Sequence, residues 1–200
     1  MEKIRRIDAQ HPAPALVAEA LTALRRGELV IVPTETVYGL AADHQNPLAL
    51  EKLFEAKGRP RDKPIALLAA TFGDLERQGA QWPPAARRLA ARFWPGPLTL
   101  VLDSPAGRLG FRVPDHPVML ALLHAWGRVL AVTSANRSGA PPALTAAAAL
   151  EALATFVALA LDAGPATGGV PSTVVKVTGT QLEILRGGAI PAEEILAAIK

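Results

Sequence analysis

Residues 29–68 read LVIVPTETVYGLAADHQNPLALEKLFEAKGRPRDKPIALL, and the succession of patterns within them sets an α/β fold. Leu29, Val30, Ile31 and Val32 form a short, β-branched-rich apolar run bounded by Gly27 and Pro33, the pattern of a buried strand. Thr34, Glu35, Thr36 and Tyr38 then stand at that strand's carboxyl end, where open α/β sheets form ligand crevices and where hydroxyls supply donors and acceptors. Asn46 can cap a helix with Pro47 in its first turn. Leu48, Leu50, Leu53 and Phe54 give that helix an apolar face, and Gly58 ends it. Lys57, Arg59, Arg61 and Lys63 place four cations within seven residues on a proline-stiffened loop leading to a strand over 65–69. Such a loop suits a polyphosphate: Arg59 can grip phosphate oxygens as a fork while Lys57 and Lys63 act as mobile point charges. Standing alone, the same run also fits a merely solvated basic loop.

Working outward, the patterning predicts helices near 14–26, 47–57, 84–93, 117–126, 145–154 and 191–199. Strands are expected near 29–33, 65–69, 98–102, 111–113, 129–132, 156–161, 173–177 and 182–186. The later strands follow one another without helices between them, which argues against a purely parallel doubly wound sheet and for a mixed one.

Length and composition fit one domain over residues 1–200, since half the chain is hydrophobic and can build a sizeable core. Twenty-one Lys plus Arg against eighteen Asp plus Glu leave a net charge of +3, so cations matter only where they cluster. With no cysteine, disulfides and thiolate metal sites are excluded, and a cytoplasmic location is expected. His11, His44, His116 and His124 lack metal-site spacing and read as surface or core residues. The amino terminus, MEKIRRIDAQHPAP, has no apolar signal stretch. The most apolar region, 146–161, is interrupted by Glu151 and Thr155 and falls short of the roughly 20 residues a membrane span needs. No membrane association is expected.

Two further constellations stand out. In residues 131–139, AVTSANRSG, an apolar strand runs into small polar residues, and Ser134 and Asn136 can donate to phosphate oxygens; the competing reading is a cap for the helix near Thr145. Arg112 lies between Phe111 and Val113, where a cation is unfavourable unless it meets an anion such as a carboxylate. Arg186 ends a strand before Gly187 and Gly188, whose size permits close ligand approach. For both arginines a structural salt bridge is the alternative. Ser172 and Thr173 follow a flexible stretch, GPATGG, at 164–169.

In order, PTETVYGLAAD, AKGRPRDKPI, FWPGPLTLVL, SANRSG, STVV and LRGG resemble the threonylcarbamoyl-AMP synthase family, also called YrdC-like, over nearly the whole chain. The resemblance implies a single-domain, short-form α/β protein: a strongly twisted, mixed parallel/antiparallel sheet flanked by helices, with a deep positively charged concave face. It implies condensation of L-threonine, bicarbonate and ATP to threonylcarbamoyl-AMP and pyrophosphate. A separate transferase complex would then use the product to modify the adenosine next to the anticodon in certain tRNAs. By the same resemblance Lys57, Arg59, Lys63, Ser134, Asn136 and Arg186 bind ATP, with Lys57 and Arg59 catalytic, while Thr36, Arg112 and Ser172 bind L-threonine. Mg2+ is expected to arrive with ATP, held through phosphates, because no carboxylate cluster is spaced to bind it. The chain departs from the family pattern at Leu68, where many members have histidine, and at Pro171, where many have glutamate.

No GxxxxGK loop, GxGxxG fingerprint or GxSxG elbow competes with this reading. A non-catalytic module binding double-stranded RNA is the alternative from another class, since the basic loop would be its electrostatic footprint. Five Phe, three Trp and one Tyr, without aromatic-basic interleaving, disfavour base stacking and leave only a backbone-reading mode. Carbamoyl-adenylate formation, as in the related domain of hydrogenase maturation proteins, fits the chemistry but lacks the cysteine-bearing companion domains.

Overall fold

Asn46 caps its helix as its chemistry implies. Its side-chain oxygen accepts from the backbone N–H groups of Leu48 and Ala49 at 3.0 and 3.2 Å, and Gly58 closes the helix in the left-handed region at φ 55°. The computed structural model describes residues 3–58, 60, 65–105 and 107–199. Its elements are β1 (Ile4–Arg6), α1 (Pro14–Arg25), β2 (Leu29–Val32), β3 (Gly39–Asp43), α2 (Pro47–Lys57), β4 (Ala66–Leu68), α3 (Phe72–Glu76) and α4 (Pro84–Phe93). They continue with β5 (Leu98–Ser104), β6 (Gly107–Arg112), α5 (Pro117–Trp126), β7 (Leu130–Ser134), α6 (Ala146–Leu153), β8 (Val157–Asp162), β9 (Thr173–Thr178), β10 (Gln181–Arg186) and α7 (Ala192–Ala197).

The strands form a ten-stranded sheet in the order β1-β8-β2-β3-β7-β4-β6-β5-β9-β10. Parallel pairs join β1 to β8, β8 to β2, β4 to β6 and β5 to β9, while the remaining neighbours are antiparallel. The sheet is therefore mixed, as the helix-free succession of late strands implies.

Three elements go beyond the sequence expectation: β1, α3 and β3. The last matters most. Its sequence, GLAAD, offers mainly small side chains and no β-branched residue, so the pattern that marks a strand is weak. Pairing settles it, because β3 is bonded on both sides, to β2 and β7, and is buried along its whole length.

Side chains alternate across the sheet and divide the core. From β2, Val30 and Val32 join α1 and α5 on one face, whereas Leu29 and Ile31 join α2 and α6 on the other. A third cluster packs α4 and α7 against β4, β5, β6 and β9 through Leu67, Leu89, Leu98, Leu100, Phe111, Val175 and Ile195.

Candidate active site

The connection from β2 to β3, residues 33–38, is folded on its own hydroxyls. Thr34 Oγ1 donates to the Val37 carbonyl at 2.6 Å and accepts from the backbone N–H groups of Thr36 and Val37 at 3.2 and 3.3 Å. A hydroxyl has one proton. With that of Thr34 committed to Val37, the 2.9 Å contact between the two threonine hydroxyls is donated by Thr36. Thr36 Oγ1 then accepts from Arg112 Nη2 at 3.1 Å. What Thr36 has left for a ligand is acceptor capacity.

Arg112 is buried, and the anion that its apolar neighbours call for is within the chain: Nη2 lies 2.6 Å from Glu35 Oε1. Nε donates to the Gly96 carbonyl at 3.1 Å. No described residue takes up Nη1, so a carboxylate has donors to meet there. The contact with Glu35 is close but not aligned as a hydrogen bond. Both carboxylate oxygens are enclosed without an N–H or O–H directed at them among the described residues.

The pairing of β5 with β6 aligns Leu100 with Phe111, whose side chains enter the α4 and α7 core. One step along each strand, Thr99 and Arg112 consequently share the opposite face. Thr99 Oγ1 meets Ser172 Oγ at 2.8 Å, and Arg186 Nη2 donates to the same Ser172 oxygen at 3.1 Å and to the Ser172 carbonyl at 2.7 Å. Glycine is required where these segments meet. A Cβ on Gly188 would stand 2.5 Å from the Ser172 carbonyl carbon, and one on Gly168 would stand 2.5 Å from the Glu35 oxygen that the Gly168 N–H bonds at 2.9 Å.

Lys57 ends α2 and is buried. Its Nζ donates to the Ser134 carbonyl at 2.5 Å, to Asn136 Oδ1 at 3.1 Å and to the Asn136 carbonyl, with Ser134 Oγ at 3.4 Å. Ser138 N–H returns a bond to the Lys57 carbonyl at 2.8 Å. The Asn136 carboxamide donates to the carbonyls of Arg137 and Ala140 at 2.9 and 2.6 Å, so its N–H groups shape the loop. Thr145 caps α6 by itself, accepting from Ala148 at 3.2 Å. An apolar pocket of about 560 Å3 opens beside Asn136, lined by Ala140, Pro142, Ala143, Leu144 and Ala148 among others.

The two constellations adjoin across the β3/β7 ladder. Gly39 pairs with Ser134, and Ala135 N–H bonds the Tyr38 carbonyl at 2.8 Å. Hydrogen bonds thus join Asn136, Lys57 and Ser134, join Thr36 to Arg112, and join Thr99, Ser172 and Arg186. Arg59 and Lys63, expected to bind ATP, lie outside the described residues.

Tyr38, expected among the crevice donors, has a different place. It is fully buried, and its hydroxyl donates to the Gly164 carbonyl at 2.6 Å while accepting from Ala163 N–H at 3.2 Å. Burial pushes its phenol up to about 12, with the Asp162 charge adding to the rise against the Ala163 hydrogen bond. Leu68 pairs in register with Arg112 and packs into the α1 and α5 core. Two contributors escaped the sequence reading. Thr99 was detectable as a polar residue inside an apolar strand, whereas the Gly96 carbonyl left no signal. His116 precedes α5 with Nδ1 enclosed and unbonded among the described residues. Burial holds His116 below the usual imidazole range, against the opposing charges of Glu35 and Asp115.

Known proteins share this arrangement of chain. The Sua5/YciO/YrdC family model, described as "Telomere recombination", matches residues 22–188. A Bacillus subtilis protein named threonylcarbamoyl-AMP synthase is 41% identical over 194 residues, covering 92% of this chain and 56% of that protein. A Chromohalobacter salexigens protein of the same name is 39% identical over 168 residues, 79% of this chain and 90% of its own length. The crystal structure of Pyrococcus abyssi Sua5 complexed with L-threonine superposes with a TM-score of 0.93 at 36% identity, covering 98% of this chain and 60% of that one. The chain thus spans little more than half of some relatives and most of others. By motif order, fold and kinship, it belongs to the Sua5/YciO/YrdC family, the one its six sequence motifs resemble.

Proposed function

We propose that this chain is a threonylcarbamoyl-AMP synthase, joining L-threonine, bicarbonate and ATP into threonylcarbamoyl-AMP with release of pyrophosphate. The observation that carries the reading is the buried Arg112, fixed by Glu35, Thr36 and Gly96 with Nη1 left for a carboxylate. An amino acid's carboxylate fits that end, and its ammonium group fits the acceptor that Thr36 retains. Ser172 would close the threonine subsite.

Lys57, Ser134, Asn136 and Arg186, with Arg59 and Lys63 from the basic loop, would receive the nucleotide's phosphates. Lys57 and Arg59 would stabilise charge developing on pyrophosphate as threonine's carbamate attacks the α-phosphate. Arg186 and Ser172 touch, so the two subsites would meet there, giving the proximity that a reaction of three small substrates needs. Among the described residues no three His, Asp or Glu side chains converge to hold a metal. Mg2+ is proposed as ATP's companion ion, held mainly through phosphate oxygens. Among the described residues no helix is long and apolar enough to cross a membrane. Its product would go to a separate threonylcarbamoyl transferase complex acting on tRNA. The non-catalytic RNA-binding reading is not favoured by kinship to proteins named as synthases.

The test is incubation with ATP, Mg2+, bicarbonate and L-threonine. Threonine-dependent pyrophosphate is expected; ATP turnover that ignores threonine would sink the assignment.

A further inference from the structure

Two hydrogen-bond donors on neighbouring strands have no taker among the described residues. The first ends a short chain of side chains. Arg186 Nη2 donates to Ser172 Oγ at 3.1 Å, and Ser172 Oγ stands 2.8 Å from Thr99 Oγ1. An arginine can only donate, which sets the direction at the outer end. Hydrogen bonds in series polarise one another, so Ser172, accepting from a cation, passes its own proton to Thr99. The proton left over is that of the Thr99 hydroxyl, because Ser172 is the partner of Thr99 Oγ1 among the described residues. The second donor is on β6, where Arg112 directs Nε to the Gly96 carbonyl and Nη2 to Thr36 and Glu35, leaving Nη1 without a partner among the described residues.

Both donors stand on one face of the sheet. Leu100 of β5 pairs with Phe111 of β6 and both enter the α4 and α7 core, so Thr99 and Arg112, one residue along each strand, turn to the opposite face. The 3.1 Å bond from Arg112 Nε to the Gly96 carbonyl draws the guanidinium along the segment that leads into β5. Neither residue is sealed: Thr99 keeps 7% of its surface and Arg112 keeps 6%. Unpaired polar groups at such burial are unfavourable, and two unclaimed donors on one face call for an acceptor with two oxygens and no proton. An ionised carboxylate is that acceptor. We propose that Thr99 is a substrate-binding residue: its hydroxyl donates to one carboxylate oxygen of the amino acid while Arg112 Nη1 holds the other. Ser172 then has a second duty, since it orients the Thr99 hydroxyl as well as meeting Arg186.

The inference rests on the synthase reading, and one experiment separates the two. Threonine-dependent pyrophosphate release is measured for the wild type, Thr99→Val, Thr99→Ser, Ser172→Ala, and Thr99→Val combined with Ser172→Ala. Each gives KM for threonine and for ATP, kcat, and Tm from a thermal melt. Valine keeps the shape and strand preference of threonine without its hydroxyl, whereas serine keeps the hydroxyl. Thr99→Val is expected to raise the threonine KM roughly tenfold, the scale of a hydrogen bond to a charged group, with the ATP KM and Tm at their wild-type values. Thr99→Ser should bring the threonine KM most of the way back. In the Ser172→Ala background Thr99→Val should raise the KM again, because the contact belongs to Thr99 itself. A Thr99→Val KM matching the wild type overturns the proposal, as does a Thr99→Ser variant as impaired as Thr99→Val. Equal threonine KM in Ser172→Ala and in the combined variant also overturns it, since Thr99 would then act only through Ser172. So does a rise in threonine KM accompanied by an equal rise in ATP KM and a lower Tm, the mark of a structural role. Should Thr99→Val not fold, Thr99→Ala takes its place under the same criteria, and failure of both to fold makes the hydroxyl structural and overturns the proposal. Absence of any threonine-dependent pyrophosphate from the wild type overturns the synthase reading and this proposal together.

Discussion

At the residue scale, Arg112 combines a structural and a ligand-binding duty, and the two separate under mutation. Arg112→Ala leaves Glu35 as an uncompensated enclosed charge, so the fold should lose about 3–5 kcal/mol, read as a lower denaturant midpoint. Adding Glu35→Gln should return part of that stability but none of the threonine affinity. Equal recovery of both would contradict the division. Arg59→Ala should weaken ATP binding by about 1.5–3 kcal/mol, the scale of a charged hydrogen bond, and leave threonine affinity nearly unchanged. Calorimetric titration of each ligand checks both expectations. Much of this chemistry was legible in the sequence, because a lone arginine between Phe111 and Val113 asks for an anion. Its partner was not. Glu35 stands far from Arg112 in sequence, and only folding brings their side chains to 2.6 Å.

Elements differ in how strongly their local sequence specifies them. The helix α2 is fixed by Asn46, Pro47 and Gly58, and the structure reproduces that pattern; Asn46→Ala should cost about 1 kcal/mol in a thermal melt. The strand β3 has no such signal, since Gly39, Ala41 and Ala42 carry little strand preference and its existence follows from two neighbours. Its smallness has a purpose at Gly39, where a Cβ would come within 2.9 Å of Val132. The junction of Gly188 with Ser172 is similar, because the glycine reads from sequence as permissive while the fold makes it obligatory. Gly188→Ala must push the segment carrying Ser172 and Thr173 aside, with a stability loss of about 1–3 kcal/mol. Threonine KM should rise more than a loss of stability alone produces. A KM equal to that of the wild type would show that the segment does not serve the substrate.

Across the whole molecule, the fold brings together side chains from widely separated segments: Asn136 with Lys57, Thr36 with Arg112, and Ser172 with Thr99 and Arg186. Motif order alone identifies the set, but sequence spacing cannot supply the contacts, because each depends on strand neighbours such as β5 and β9 that lie far apart in the chain. The same burial that builds the site sets a pH dependence. Burial lowers the tendency of both His44 and His116 to protonate, against the opposing charges of Asp43 for the former and of Glu35 and Asp115 for the latter. The unfolded chain binds those protons near the ordinary value of 6.5 while the folded chain resists them. Stability should therefore be full above that value and decline as pH falls through and below it, a trend that melts at pH 7 and pH 5.5 will reveal. The central claim is that the joined subsites build one product from three substrates. Mass spectrometry of reactions containing ATP, L-threonine and isotopically labelled bicarbonate tests it most directly. The labelled carbon should appear in a nucleotide adduct that also contains threonine, formed in step with pyrophosphate. Label absent from every nucleotide product, or an adduct that forms without threonine, would contradict the account.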